Sequence, residues 1–358
     1  MRFGKTCWSN LVFLLLLSLI GAPSCQGKPF NNGQSRAGIK LPDDFSAVGL
    51  VYHRFGDDRY PSTNTPLDKF EEQLLYLTQN GFKTYTVSGL IKGANDSAKK
   101  IFITVDDGLK SFYTNGWPLL KKYNCKATLF VNTESVGWGD YLNWEQLKKL
   151  AEAGIEIGSH SHKHTYFLNI PDSMREQVFL KDLDISEQLF KDSLGFVPKT
   201  YAYPYGEYDE QMANLLKKRG YEMSFAQNSG VWNYRTHPFA IPRFPIAGNY
   251  VEMEQFRLKV NMKPILIGNV SDFPFELSAG EKMYLRLSVD SVHNLHRVNC
   301  FYNNKSNSDI YQFKDDTIRV SVKMPNNFRR VLLTFTSTDA TNQWYWWSKL
   351  FVNSGVEE

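Results

Sequence analysis

Asp106 and Asp107 stand side by side at the end of an apolar run, KIFITVDDG from Lys100 to Gly108. Two carboxylates this close raise the pKa of one of them unless a cation relieves the repulsion, and a metal ion is such a cation. His160 and His164 are spaced i and i+4 in His160-Ser161-His162-Lys163-His164. That spacing lets two imidazoles converge on one ion, and a carboxylate from another strand completes a three-ligand site with positions left open. Neighbouring acids more often mark a turn or a helix cap, and a lone histidine pair is only moderately specific. Together at the ends of strands, they point to a metal that holds water and a substrate. Two chemistries share the ligand set: metal-assisted hydrolysis and oxygenation at non-haem iron. The second has no use for an extra acid beside the ligating one.

These residues need a frame. From residue 47 short apolar runs alternate with amphipathic stretches, the pattern of an α/β fold with parallel strands and crossover helices. AVGLVYH (Ala47 to His53) is predicted as the first strand. Thr65 then offers an N-cap with Pro66 at the first helical position; Leu67, Phe70, Leu74 and Leu77 recur at helical spacing, and Gly81 ends the helix. Further strands are predicted around Lys83 to Val87, over KIFITVDDG, and over Ala127 to Asn132, Ile155 to His160 and Thr200 to Gly206, with a helix capped by Asn143 and ending at Gly154. In such folds ligands gather outside the carboxyl ends of the strands. His53, Asp106, Asp107, His160 and Tyr205 all fall at such ends, so one rim collects them. The count fits a distorted (β/α) barrel of seven or eight strands. Beyond about residue 264 amphipathic helices stop, and Met283, Leu285, Leu287, Val289 and then Ile318, Val320, Val322 alternate with polar residues. This predicts a small all-β sandwich over residues 265–358.

The chain of 358 residues is 42% hydrophobic, enough for more than one core. Its 41 basic and 37 acidic side chains nearly balance at +4, and no long basic block stands out, which argues against nucleic acid as a partner. Arg2 and Lys5 precede an apolar run from Leu11 to Ile20 and then Gly21, Ala22 and Ser24, the layout of a secretory signal over residues 1–24. Cys25 follows directly, and a cysteine in that position resembles the lipobox of bacterial lipoproteins. Its lipidation would anchor an exported protein to the membrane at the cell envelope through several acyl chains; a plainly cleaved signal is the alternative. Residues 25–44 read as a linker and 45–264 as the barrel. Of the four cysteines, Cys125 and Cys300 are expected as separate buried thiols, too few for a disulfide framework.

Thr104-Val105-Asp106-Asp107-Gly108 resembles the T-F-D-D-G first motif of the polysaccharide deacetylases, carbohydrate esterase family 4, and His160 to His164 resembles their second, H-[S/T]-x-x-H. Tyr201-Ala202-Tyr203-Pro204-Tyr205-Gly206 is similar to the third motif as found in the poly-N-acetylglucosamine deacetylase branch, as is the stretch from Val51 to Thr65. The resemblance covers about residues 45 to 250. It implies that Asp107, His160 and His164 hold a divalent metal, with zinc the default and cobalt, nickel or iron also suited to such ligands, and that Asp106 is the catalytic base. It places the backbone N–H of Tyr205 toward the oxyanion. The arginine that usually opens the third motif is absent, Tyr201 or Ala202 standing there, and no late Leu-x-His motif supplies an acid. The branch implies substitutes: His53 as the histidine presented to the site, and Arg243 in IPRFPI orienting Asp106.

The expectation is an exported metal-dependent hydrolase that removes N-acetyl groups from an N-acetylglucosamine-containing polysaccharide and releases acetate. Peptidoglycan and chitin oligomers are alternative substrates, and an inactive polysaccharide-binding lipoprotein is the alternative outside catalysis. No protein partner can be inferred. His162 occupies the variable position of its motif and His237 a loop, so neither is given a role. Trp232 is a candidate sugar platform, as is the cluster Trp344, Tyr345, Trp346 and Trp347, although strand alternation sends about half of that cluster inward.

Overall fold

The structure, a computed structural model, describes residues 39–357 apart from 269–274, 291–294, 296, 304, 307–310 and 315. The signal and Cys25 lie outside the described residues. Seven strands follow one another across the main sheet: Val231–Asn233, Ser46–Tyr52, Lys99–Val105, Ala127–Val131, Glu156–Ser159, Thr200–Ala202 and Met223–Phe225. All neighbours are parallel except Val231–Asn233, which runs against the first strand. Phe82–Tyr85 pairs with the first half of Lys99–Val105, on the edge that Ala127–Val131 takes over higher up. The sheet curls until the segment from Ile241 to Pro245 joins its ends, with Ile241 bridging Phe225 and Phe244 pairing with Leu50. The result is the distorted barrel expected.

Strand alternation decides which side chains fill the barrel. Ile101, Ile103 and Val105 face outward into the core under the helices, together with Leu50, Leu129 and Ile157. Phe102 faces inward and packs against Phe225 and Trp232, while Phe130 packs against Phe225. Room for these rings comes from Gly49 and Gly158, where a Cβ would lie 2.2 Å from Phe102 and 2.4 Å from Phe130. Two local expectations need correcting. Pro66, not Thr65, is the N-cap of the helix Leu67–Gln79; Thr65 is buried in the short strand Asn64–Thr65, where its hydroxyl donates to the Ile246 carbonyl at 2.7 Å. Val87 starts a helix rather than ending a strand, because the Thr86 side chain accepts the Gly89 N–H and caps Val87–Lys92. The Asn143 expectation holds at the start of its helix, where a capping box with Gln146 opens Trp144–Glu152; the C-cap is Ala153, one residue before Gly154.

Among the described residues no helix follows Met253–Val260. Two antiparallel-rich sheets take over. One contains Lys263–Pro264, Trp344–Val352, Arg330–Thr338, Arg297–Tyr302 and Lys305–Ser306, and the other Ile267–Gly268, Lys282–Val289, Thr317–Lys323 and Tyr311–Lys314. Leu285, Leu287, Ile318, Val320, Leu333 and Phe335 fill the space between them. Cys300 lies in this core and Cys125 in the barrel's outer core, both as free thiols. The C-terminal aromatics split as alternation requires. Tyr345 and Trp347 pack on the sandwich core, whereas Trp346 faces the barrel, its Nε1 donating to Ser229 O at 3.0 Å and its ring 5.6 Å from Phe244. Only Trp344 is exposed, so the cluster is not a sugar platform.

Where sandwich meets barrel, Lys349 is buried, its Nζ 3.4 Å from the Phe275 ring centroid and 6.0 Å from that of Tyr208. Burial pushes its ammonium down to about 7, although the ring faces favour the charged form and offset part of that penalty. The unfolded chain titrates near ~10.4 and so holds a proton that the folded one lacks between the two values. Stability therefore climbs with pH across that window and is lowest below it. Lys349→Met is expected to raise stability by about 2 kcal/mol at pH 7, less toward pH 10; paired thermal melts at the two pH values check the sign.

Candidate active site

Asp106 continues the inward file of Phe102 and Thr104 into the barrel mouth, where it is fully buried. Its N–H donates to Tyr52 O at 2.9 Å, and the His160 N–H donates to Val131 O at 2.9 Å, so the strands carrying the two motifs end on one level. Arg243, equally buried, enters from the closing segment. Its Nη1 and Nη2 donate to the two Asp106 oxygens at 2.7 and 2.9 Å, Nη1 also to Thr104 Oγ1 at 3.0 Å, and Nε to Ala226 O at 2.9 Å. The guanidinium lies over the Phe130 and Phe225 rings, capping the aromatic interior with a matched charge pair. Burial alone would raise the Asp106 carboxyl. Arg243, with His160 and His53 nearby, outweighs it and holds the group below its ordinary value.

Asp107 leaves the strand with φ 76° and turns toward the two histidines. Its Oδ1 is 3.5 Å from His160 Nε2 and 3.4 Å from His164 Nε2, and the two Nε2 atoms are 3.2 Å apart. A tetrahedral ion with ligand bonds of roughly 2.0–2.1 Å has edges of about 3.3–3.4 Å, so this triangle is the right size for one divalent cation. The donor chemistry agrees. His160 Nδ1 donates to Ala202 O at 2.7 Å, so that the neutral ring, the form that binds a metal, presents its Nε2 lone pair to the triangle. Burial would raise the Asp107 carboxyl, but the imidazoles around it hold it well down, so it is ionised. Asp107, His160 and His164 form the one possible metal-binding group among the described residues. His53 is half-buried after the first strand and close enough to lower both carboxylates.

The histidine loop hangs on a residue that sequence reasoning missed. Asp182, buried in the helix Asp172–Leu194, accepts the His162 N–H at 2.7 Å and the Lys163 N–H at 3.0 Å. Ser161 Oγ then accepts the His164 N–H at 2.8 Å. An acid on the apolar face of that helix, between Phe179 and Leu183, was the signal available. Because such partners fix the orientation of ligands, Asp182→Ala should weaken metal binding about 10- to 100-fold, measured by competition with a chromophoric chelator.

Tyr205, in the Pro204–Gly206 turn, has φ 57°. Its ring stacks on Tyr166 at 3.5 Å and 6°, and meets His164 edge-on at 4.5 Å. Asp107, Ser161, His164 and Tyr205 are all left-handed, a conformation costing roughly 1–2 kcal/mol at a non-glycine residue. Strain of this kind gathers at working sites. Tyr141 also reaches the site, where burial and the Asp107 charge raise its phenol; neither it nor Tyr166 stood out in the sequence. Trp232 does not join them. It is buried 5.4 Å from Phe45 and 5.7 Å from Phe102 in the barrel interior, so it is core rather than a sugar subsite. His162 only flanks the cluster, with Nδ1 2.9 Å from Thr133 Oγ1.

Residues 93–224 match the family described as Polysaccharide deacetylase. YxkH of Bacillus subtilis strain 168, a protein assigned by name to the polysaccharide deacetylases, is 31% identical over 202 residues, covering 55% of this chain and 70% of the relative. The chain belongs to the polysaccharide deacetylase family. The poly-β-1,6-N-acetyl-D-glucosamine N-deacetylase of Staphylococcus aureus strain N315 is 26% identical to this deacetylase, over 68% of the chain and 95% of the relative. Among solved structures, IcaB of Ammonifex degensii matches with a TM-score of 0.52 at 25% identity, covering 62% of this chain and 99% of that one. The Streptococcus pyogenes deacetylase PplD, solved with acetate, matches the fold with a TM-score of 0.55 at 21% identity, covering 60% of this chain and 98% of that one. The deacetylase is thus an enzyme acting on polysaccharide, and much of its chain has no counterpart in these structures.

Proposed function

We propose that the protein is a metal-dependent N-deacetylase of a poly-β-1,6-N-acetylglucosamine-like polymer. The observation that carries this reading is the Asp107, His160 and His164 triangle lying beside a second carboxylate, Asp106, that Arg243 keeps ionised. The similarity to the staphylococcal enzyme, which spans 95% of that protein and 68% of this chain, supports the choice of polymer. Asp107, His160 and His164 would hold the ion, which when bound supplies Lewis acidity and an acidified water. Asp106 accepts the proton of the attacking water; its lowered pKa makes it a modest base, but one charged at every working pH. The Tyr205 N–H donates to the acetyl oxygen as negative charge develops there. His53 gives its proton to the departing nitrogen as the C–N bond breaks, leaving acetate and a free amine.

In this reading the catalytic barrel ends near residue 264, and the protein works at the cell envelope, held by lipid on Cys25. Mass spectrometry of the N-terminal peptide of the native protein tests the anchor; an unmodified Cys25 would remove it. The activity is tested by acetate release from β-1,6-linked N-acetylglucosamine oligomers, with chitin oligomers and peptidoglycan fragments in parallel and with zinc, cobalt, nickel or iron added after chelation. Release from the first substrate, lost on chelation and restored by metal, is expected. Preference for either other substrate would move the assignment to that polymer.

A further inference from the structure

The barrel mouth holds a buried carboxylate that serves neither the mechanism above nor the histidine loop. Glu207 follows the Tyr205–Gly206 turn directly and is 3% exposed. Its partners come from the sandwich. Arg329 donates Nε and Nη2 to the two Glu207 oxygens at 2.8 and 2.6 Å, and Arg330 donates Nε to Oε1 at 2.8 Å. Arg329, itself 4% exposed, is tied back to its own domain by Nη1 donating to Val356 O at 2.7 Å. Its guanidinium also lies 4.5 Å from the centroid of Tyr166, the ring on which Tyr205 stacks, and Arg330 lies 5.7 Å from the Tyr205 ring. A continuous set of contacts therefore runs from the start of a sandwich strand, through Glu207 and the tyrosine pair, to His164.

What this clamp holds is an unfavourable backbone. Tyr205 at φ 57° and Gly206 at φ 71° are successive left-handed residues, and such a conformation persists only where its surroundings over-determine it. Gly206 sits so close to Gln227 that a Cβ would lie 2.5 Å from the Gln227 backbone nitrogen, which fixes one side of the turn. The bidentate arginine on Glu207 fixes the other. A planar guanidinium against a carboxylate specifies orientation as well as charge, and exclusion from solvent keeps the pair from being screened. From this we infer that the β-sandwich completes the active site: Arg329 and Arg330, acting through Glu207, are positioning residues that hold the Tyr205 amide where the oxyanion forms. The inference rests on the role proposed for that amide and gives the sandwich a function in the reaction.

The test uses the full chain, with Arg329→Met, Arg330→Met and the milder Arg329→Lys and Glu207→Gln. Arg235→Met serves as a control, since it removes another ion pair between barrel and sandwich, to Asp290. Arg235 lies on the loop after Val231–Asn233, whose Asn233 pairs with Ser46 at the amino end of the first strand, away from the site rim. Two readouts are taken, hydrogen exchange of the peptide spanning 203–209 and steady-state kinetics with acetate detection. Arg329→Met should speed exchange of that peptide and lower kcat roughly tenfold to a hundredfold, with KM and bound metal within about twofold of wild type. Arg329→Lys, which keeps the charge but loses the fork, should fall between. Arg235→Met should leave both readouts unchanged. Unchanged exchange in Arg329→Met and Arg330→Met would overturn the clamp; faster exchange with unchanged kcat would overturn its role in positioning. Faster exchange in a protein whose wild type releases no acetate from any substrate would uphold the clamp and retire the proposed reaction instead.

Discussion

Arg243→Met is expected to cost about 3–5 kcal/mol of stability, because it strips the partner from a fully buried carboxylate. The methionine fills the space between Phe130 and Phe225 but satisfies neither Asp106 oxygen, nor Thr104 Oγ1, nor Ala226 O. Burial, the largest influence on Asp106, then goes unopposed by its nearest cation, and the carboxyl moves up from its depressed position. The sign of the activity effect follows. In the wild type Asp106 is already ionised well below neutrality. In the variant it must lose a proton first, so the rising limb of the pH–rate profile moves to higher pH and activity at neutral pH falls, by up to about 10²- to 10⁴-fold if the base is fully silenced. Thermal melts and a pH–rate profile measure the two effects. Adding Asp106→Asn to Arg243→Met should recover much of the stability and none of the rate, since an uncharged pair no longer needs matching. A variant with wild-type melting and an unmoved pH profile would show that Arg243 merely fills space.

How much of this was legible depended on whether the information was local. Asp106, Asp107, His160 and His164 announce themselves by type and spacing, and their place at the carboxyl ends of predicted parallel strands was enough to put them on one rim. Arg243 was readable for a different reason. It came from the family resemblance, whose branch offers it in place of the arginine missing from the third motif, and not from its own setting in IPRFPI. Thr65 was misread because Thr-Pro before a helical pattern is a good start signal locally, whereas the tertiary demand of Ile246 O for a donor took the hydroxyl away. Trp232 could not be told from a sugar platform because core and platform ask for the same side chain; only the neighbours Phe45 and Phe102 decide.

The scaffold of the site was less legible for a physical reason. Asp182, Glu207 and Arg329 act over large sequence separations, each answering a need created by backbone that the fold has bent elsewhere. Left-handed φ at Asp107, Ser161, His164 and Tyr205 leaves amide groups pointing away from any regular ladder. Those of His162, Lys163 and His164 find side-chain acceptors on Asp182 and Ser161. Sequence periodicity reports which residues prefer the core, and says little about which buried acid will accept which strained amide. The sandwich illustrates the same limit. Its alternation gave the fold correctly, while its contact with the site runs through two arginines at a strand's edge that have no motif around them.

Asp106→Asn should separate the two acids at the barrel mouth. Asparagine keeps the size of the side chain and one acceptor for Arg243, but its amide N–H group now opposes the guanidinium, and no basic oxygen remains to take a proton. Acetate release is expected to fall about 10²- to 10⁴-fold. Bound metal should stay near one per chain, because Asp107, His160 and His164 are untouched. Asp107→Asn should instead lose both, since the anionic corner of the triangle is gone. The stability cost of Asp106→Asn is softened by the partners that Arg243 retains, Thr104 Oγ1, Ala226 O and two aromatic faces, so the variant should fold and can be compared at equal metal occupancy. Metal analysis beside the acetate assay therefore reads ligand and base as distinct losses. If Asp106→Asn kept activity within about threefold of wild type with its metal in place, the proton acceptor would have to lie elsewhere. His53, which helps lower both carboxylates, would then be the first residue to substitute; because it already serves as the acid, only a His53→Gln variant that loses the rising limb of the pH–rate profile, and not rate alone, would move the base to the end of the first strand.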